Sequence, residues 1–367
     1  MKSFWDKLKK PFFVLAPLAD VTDAAFRRAI AKYSKPYGPD VFWTEFVSAD
    51  GLIRADEEGR KKLLADLMYT EAERPIVAQL FSSESEYMEG AAKLCQELGF
   101  DGIDINMGCP DRSIEKQGCG SAMIKNPARA REIIRAAKRG APKLPVSVKT
   151  RLGYNKDELE TWLPELLAED PAAVTIHART RKEMSKVPAR WERVKRAVEI
   201  RDEMGSEALI IGNGDALNME DARAKARASG ADGVMLGRAI FGNPWLFHPH
   251  KSLPERIASS ENSSLPHRRT FYDTLCELIL PRSSSPAKIS ASEKEVVGIE
   301  ERLKVLLEHT RLFEELLPHK NFAIMKKHYK AYVQGFDGAK ELRIKLMESS
   351  NSEEVAQHIA QFLRKHT

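Results

Sequence analysis

Val146-Ser147-Val148-Lys149-Thr150-Arg151 alternates apolar and polar residues and ends in cations, and Ala173-Val174-Thr175-Ile176-His177-Ala178-Arg179 repeats the habit further on. In an extended strand successive side chains point to opposite faces. Val146 and Val148 therefore share one face, while Ser147, Lys149 and Arg151 share the other. Likewise Val174 and Ile176 oppose Thr175, His177 and Arg179. Short apolar runs separated by helical patterns are the mark of βα units on a parallel sheet.

Working outward from this pair, comparable runs occur at Phe12–Ala16, Val41–Phe46, Ile76–Phe81, Gly102–Met107, Ala208–Asn213 and Gly233–Gly237. Together they make the eight strands, very roughly 30 residues apart, that a (β/α)8 TIM barrel requires. Asp104 and Asn106 oppose Ile103 and Ile105 on the fourth run, and Gln79 closes the third in register with Val77. Polar groups thus gather at the C-terminal strand ends, where barrels of this type carry their sites. Between strands, Ser83 with Glu86 reads as a capping box, and Tyr87, Ala91, Leu94, Cys95 and Leu98 follow at helical spacing before Gly99. Asn126-Pro127 opens another helix and Gly140 closes it. Cys95 is expected in the core.

The 367 residues exceed the roughly 250 to 300 at which a single core stops growing, so a second, smaller domain is expected. We divide the chain into a barrel over 1–250, a Ser/Pro-rich linker with a short helix near Phe271–Leu280 over 251–298, and an all-α helical bundle over 299–367. Leu303, Leu306, Leu307, Phe313 and Leu317 mark the first helix of that bundle. With 43% hydrophobic and 30% charged residues the chain reads as a globular protein. It has no apolar run near the roughly 18 residues that span a bilayer and no signal-peptide core at Met1–Lys10. A cytoplasmic, monomeric protein is expected. Cys95, Cys109, Cys119 and Cys276 lack metal or disulfide spacing, so reduced thiols and no metal follow. A net charge of +5 is compatible with a phosphate-bearing partner.

Gly212-Asn213-Gly214-Asp215 and Gly237-Arg238 end the last two strands, the usual phosphate position of such barrels. Lys149 would suit the pyrimidine end of a flavin, whose reduced form is anionic. These residues alone do not separate a flavin from a sugar phosphate. Cys109, just beyond the fourth strand, could act as nucleophile, redox partner or proton donor.

Ala16-Pro17-Leu18-Ala19 with Thr22-Asp23, Gln79-Leu80, Asn106-Met107-Gly108-Cys109-Pro110, Val148-Lys149-Thr150-Arg151-Leu152-Gly153, His177-Ala178-Arg179-Thr180, the two glycine motifs and Gly242-Asn243-Pro244-Trp245 resemble, in order, the dihydrouridine synthase family. Lys326-Lys327-His328-Tyr329-Lys330-Ala331-Tyr332 with Gly335 is similar to its helical domain. The resemblance implies an FMN enzyme, fed by NADPH, that saturates the C5=C6 bond of a uridine in tRNA or another structured RNA. It places FMN on Pro17, Leu18, Ala19, Gln79, Lys149, His177, Asn213, Gly214, Asp215, Gly237 and Arg238. Cys109 falls on the proton donor, Asn106, Arg151 and Arg179 near the substrate, and Lys326, Lys327 and Lys330 on the RNA, with Tyr329 and Tyr332 offering stacking surfaces. Ala178 stands where the family commonly has glycine, and Cys119 where a glycine or other small residue is usual. The rival readings are a small-molecule flavoenzyme, such as a dihydroorotate or dihydropyrimidine dehydrogenase, and a noncatalytic RNA-binding protein on the same fold.

Overall fold

The computed structural model describes residues 3–253 and 295–366. Eight parallel strands form one curled sheet: β1 (Phe12–Leu15), β2 (Phe42–Ser48), β3 (Ile76–Phe81), β4 (Gly102–Met107), β5 (Val146–Arg151), β6 (Ala173–His177), β7 (Leu209–Asn213) and β8 (Gly233–Leu236). Their order, β1-β8-β7-β6-β5-β4-β3-β2, is that of a (β/α)8 barrel. The ring closes between β1 and β2, where the pairing is sparse. Leu15 N–H donates to Val41 O at 3.2 Å, Asp40 N–H to Phe13 O at 2.8 Å, and Phe13 N–H to the Asp40 carboxylate at 2.6 Å.

Helices α1 (Ala24–Ser34), α2 (Ala49–Arg54), α3 (Glu57–Asp66), α4 (Ser85–Glu97), α5 (Arg112–Lys116), α6 (Pro127–Gly140), α7 (Leu159–Leu167), α8 (Trp191–Glu203) and α9 (Met219–Ser229) fill the connections. One apolar layer lies between these helices and the sheet, and a second fills the pore from below. That plug is built on Phe12, Val14, Trp43, Val77, Ile211 and Met235, with Trp5 from an N-terminal 3-10 turn (Phe4–Lys7) against Phe12 and Trp43. The lower pore is therefore sealed, and the polar strand residues above it face the mouth.

Asn126 caps α6 with Pro127 at its first position, and Gly99 ends the α4 turn at φ 79°, both as the sequence indicates. The capping box at Ser83 and Glu86 is not formed. Ser82 instead accepts Glu84 N–H at 2.9 Å, and α4 starts at Ser85 without a side-chain cap. Leu98, placed on the apolar stripe, is 41% exposed, whereas Cys95 is buried.

The expected short helix near Phe271–Leu280 lies outside the described residues. At the borders of that segment Lys251–Ser252 and Glu295–Val296 pair as a small parallel ladder. Beyond it α10 (Ile299–Leu316), α11 (Met325–Tyr332), α12 (Ala339–Glu348) and α13 (Ser352–His366) complete the chain. α10 packs on α1, burying Leu303, Leu306 and Phe313, with Phe26 of α1 stacked on His309 at 4.8 Å between centroids. Gly242, at φ 64°, lies under α11. A Cβ there would stand 2.5 Å from the Ala331 backbone, so the close approach requires glycine.

Candidate active site

Side chains from β3, β4 and β5 form a directed hydrogen-bond chain beneath the mouth. Ser147 Oγ donates to Asp104 Oδ1 at 2.6 Å, and Gln79 Nε2 donates to Asp104 Oδ2 at 2.6 Å. Asn106 Nδ2 then donates to Gln79 Oε1 at 3.0 Å, while Asn106 Oδ1 accepts Gly108 N–H at 3.1 Å and Cys109 N–H at 2.9 Å. Burial pushes Asp104 up to about 6 despite Ser147, Gln79 and the Lys149 charge. Asn106, expected near a substrate, thus spends its amide on the backbone of the cysteine loop.

Cys109 is half-buried on that loop. Ser121 N–H donates to its carbonyl at 2.9 Å, the Ser121 hydroxyl lies between that carbonyl at 2.9 Å and Glu115 Oε1 at 2.8 Å, and Gly120, at φ 59°, would bring a Cβ within 2.7 Å of the carbonyl oxygen. Arg151 Nε donates to Gly108 O at 2.7 Å, and Nη1 to Thr180 O and Met184 O, so this arginine ties the β4 and β6 loops together. Burial pushes the Cys109 thiol above its ordinary value although Arg151 and Lys149 pull it down. It is a protonated thiol at neutral pH. Cys119 is 1% exposed, packed on Phe81 and Ile114, and pushed up to about 11 by burial, which makes it a packing residue.

Across the mouth, Gly214 adopts φ 125° and its carbonyl accepts Trp191 Nε1–H at 2.8 Å. Asp215, also left-handed at φ 51°, is gripped by Arg179, Arg238 and Ala189 N–H. Burial would raise its pKa, but these partners together hold it below the usual carboxylate range. Arg179 is 2% exposed, with Nε on Val187 O and Nη1 3.1 Å from His177 Nε2. A guanidinium only donates, so His177 Nε2 accepts and the ring is neutral with its proton on Nδ1. Burial, reinforced by Arg151, Lys149, Arg179 and Arg238, drives His177 well below its ordinary value in agreement. Asn213 Nδ2 donates to Met235 O at 2.8 Å.

Of the residues expected to hold a cofactor, Leu18, Ala19, Lys149, His177, Gly214, Asp215, Gly237 and Arg238 are open to solvent in part, whereas Pro17, Gln79 and Asn213 are buried beneath them. Lys149 lies among charges but makes no side-chain hydrogen bond among the described residues, and burial with the neighbouring Arg151 lowers it to about 8. The β1 loop is folded on itself. Thr22 Oγ1 accepts Leu18 N–H at 2.8 Å, and Arg27 Nη1 donates to Thr22 O at 2.8 Å.

On α11, Lys326 is partly exposed and Lys330 exposed, but Lys327 places its ammonium out of solvent reach. The expected stacking role of Tyr329 and Tyr332 is overturned, since both are 0% exposed in the core against α10. Their spacing in the sequence marks a buried stripe. Residues that sequence reading missed are Glu115, Arg181 and Trp191, each identified only by its partner from another part of the chain. Among the described residues no helix is long and apolar enough to cross a membrane, and no cluster of three or more His, Cys, Asp or Glu could hold a metal.

A family model described as dihydrouridine synthase (Dus) matches residues 14–280. The chain is similar to a probable tRNA-dihydrouridine synthase 2 of Bacillus subtilis, 37% identical over 366 residues, covering 100% of this chain and 98% of the relative. It is also similar to a probable tRNA-dihydrouridine synthase of Staphylococcus epidermidis, 35% identical over 364 residues, covering 98% and 96%. Among solved structures, a variant of NCR from Zymomonas mobilis is 17% identical with a TM-score of 0.43, covering 66% of this chain and 89% of that one. With a family model spanning most of its length and curated relatives aligned along nearly all of it, the chain belongs to the dihydrouridine synthase family.

Proposed function

We propose that this protein reduces the C5=C6 bond of a uridine in tRNA to 5,6-dihydrouridine, with FMN as cofactor, NADPH as reductant and Cys109 as the acid. The observation that carries this reading is a protonated, half-buried thiol held on a braced loop beside Lys149, at the mouth of a barrel whose opposite rim is a glycine cradle. The cradle fits a flavin phosphate: Gly214 leaves no room for a Cβ, which would meet Ala189 at 2.8 Å, and Gly237 is open to approach with Arg238 beside it. FMN, when bound, supplies the hydride taken from NADPH.

The chain's own residues do the rest. Lys149 provides a fixed cation at the pyrimidine end of the ring system, and His177 offers its Nδ1 proton without adding charge. Cys109 keeps a proton on Sγ and delivers it to C5 of the uracil as C6 is reduced. Leu18 and Ala19 give an apolar wall, and Lys326 and Lys330 meet RNA phosphates. Positioned acids contribute about 100-fold to 10,000-fold. Cys109→Ala is therefore expected to retain FMN and oxidise NADPH while dihydrouridine formation, read by nucleoside mass spectrometry of the tRNA, falls by that factor. Near-normal product from this variant would remove the thiol from the chemistry.

A further inference from the structure

The loop after β1 is held by a residue from the far end of the chain. Glu45, on β2 and 5% exposed, accepts Asp20 N–H with Oε1. Its Oε2 lies 2.7 Å from the Lys320 ammonium, which comes from the connection after α10. Lys320 also reaches Asp66 Oδ1 at 2.9 Å, where His319 Nε2 stands at 3.5 Å. Asp23 completes the group: it is fully buried, Oδ1 caps α1 through Phe26 N–H, and Oδ2 has no hydrogen-bond partner among the described residues.

The charge balance is lopsided. Glu45 and Asp66 pair directly with the one Lys320 ammonium, and Asp23 is pulled down only at longer range by Lys320 and by Arg27, whose guanidinium is bonded to Glu73 at 2.7 Å in a fully buried pair. Burial and then the Glu45 charge push Asp23 up to about 7, and burial raises Glu45 against the pull of Lys320. Removing the ammonium from such a site leaves the buried Glu45 carboxylate without its ion-pair partner. Among the described residues, the hydrogen bonds of residues 17–22 otherwise stay within the loop and α1. Asp20 itself sits at φ 53°, a backbone conformation that persists only where its surroundings impose it.

We propose that Lys320 is a positioning residue for the flavin loop: by holding Glu45 it fixes Asp20 and the Pro17-Leu18-Ala19 turn, so that the C-terminal helical segment sets the affinity for FMN. This rests on the flavin reading given above. Couplings of this kind, between distant parts of a chain, change affinity by about 5-fold to 150-fold.

FMN titrated into flavin-stripped full-length protein, followed by quenching of flavin fluorescence, tests this. Lys320→Met should bind FMN at least about fivefold more weakly than wild type at pH of about 8, and the deficit should shrink toward pH of about 6 as the Asp23 carboxyl, raised to about 7 by burial, takes up a proton beside Glu45. Lys320→Arg should keep wild-type affinity. Glu45→Gln should rescue Lys320→Met to within about threefold of wild type, because the amide oxygen still accepts Asp20 N–H and the stranded charge is gone. Glu308→Ala, which cuts the contact of α10 to Lys32 and Tyr33, should leave FMN affinity unchanged. If Lys320→Met fails to fold, the double variant carries the test and must fold and bind. A Lys320→Met protein that matches wild type, or a double variant no better than the single one, overturns the proposal. A wild-type protein that binds no FMN would instead sink the flavin reading.

Discussion

Lys149 is the residue whose role is most exposed to measurement, because it is partly exposed at the mouth and burial has brought its ammonium down to about 8. It is charged below that value and neutral above it. FMN affinity should therefore fall as pH rises through about 8 in wild type and stay flat in Lys149→Met, which should bind about tenfold more weakly at neutral pH. Flavin fluorescence titrations across that range check both statements, and parallel profiles for the two proteins would exclude a Lys149 contact. At this scale the sequence was legible where a strand's own alternation sufficed: Lys149, Arg151, His177 and Asp104 fall on one face by counting. It was illegible where a side chain's partner lies on another strand. The Ser147-Asp104-Gln79-Asn106 chain needs the β3, β4 and β5 registers, which no single run specifies.

Among the elements, the loop from β4 to α5 is braced more heavily than a connection of its length requires. Ser121 links the Cys109 carbonyl to Glu115 Oε1 at 2.8 Å, Glu115 pairs with Arg181 of the β6 loop, and Tyr154 lies under Lys125 and Arg181, with ring centroid distances of 4.5 and 5.3 Å. Glu115→Gln and Arg181→Ala should loosen this brace without touching the cofactor cradle. We expect dihydrouridine formation to drop about tenfold, FMN content to hold, and iodoacetamide to alkylate Cys109 faster as the thiol becomes more exposed. Unchanged alkylation with lowered activity would mean that the brace does not position the thiol. Strand positions and most helices were readable from periodicity and caps. The α4 start was not, because the N-cap position falls on Glu84, which makes no side-chain cap, while Ser82 takes Glu84 N–H in the turn before the helix.

For the whole molecule, two expectations concern the helical segment. Removing one lysine that grips a phosphate flattens the log-log salt dependence of RNA affinity by roughly one unit, so Lys326→Ala with Lys330→Ala should flatten it by roughly two. Filter binding of tRNA across salt concentrations reads this directly, and an unchanged slope returns both lysines to a solvated face. The second expectation lies at the junction of α10 with the barrel, where His309 and His328 are 0% exposed and 4.5 Å apart between centroids. Burial lowers His309 to about 3, against about 6.5 in an unfolded chain. Between those values the unfolded state holds more protons, so the stability that this histidine contributes above about 6.5 declines as pH falls, at up to about 1.4 kcal/mol per pH unit. Asp23, raised to about 7, acts in the opposite sense, so the informative quantity is a difference. Wild type should lose stability relative to His309→Leu between about pH 7.5 and 5.5 in urea melts, and parallel curves would refute the assignment. Neither this junction nor the Lys320 cluster could be read from sequence, since 275 residues separate Glu45 from Lys320.

The sparse join between β1 and β2 acquires a meaning from what lies across it. A parallel barrel whose first and last-paired strands share so few backbone bonds is a rolled sheet with an overlap, and its easiest sub-global opening is to unroll there. α10 rests on the helix that leaves β1, and Lys320 grips the strand on the other side, so the C-terminal segment works as a clasp over the overlap. Unrolling there would leave β1 paired with β8 and carry the Pro17-Leu18-Ala19 turn, with Gly237 beside it, away from Glu45 on β2. Opening of the barrel and release of its ligand then become one event, and amide exchange in β1 sets the clock for both.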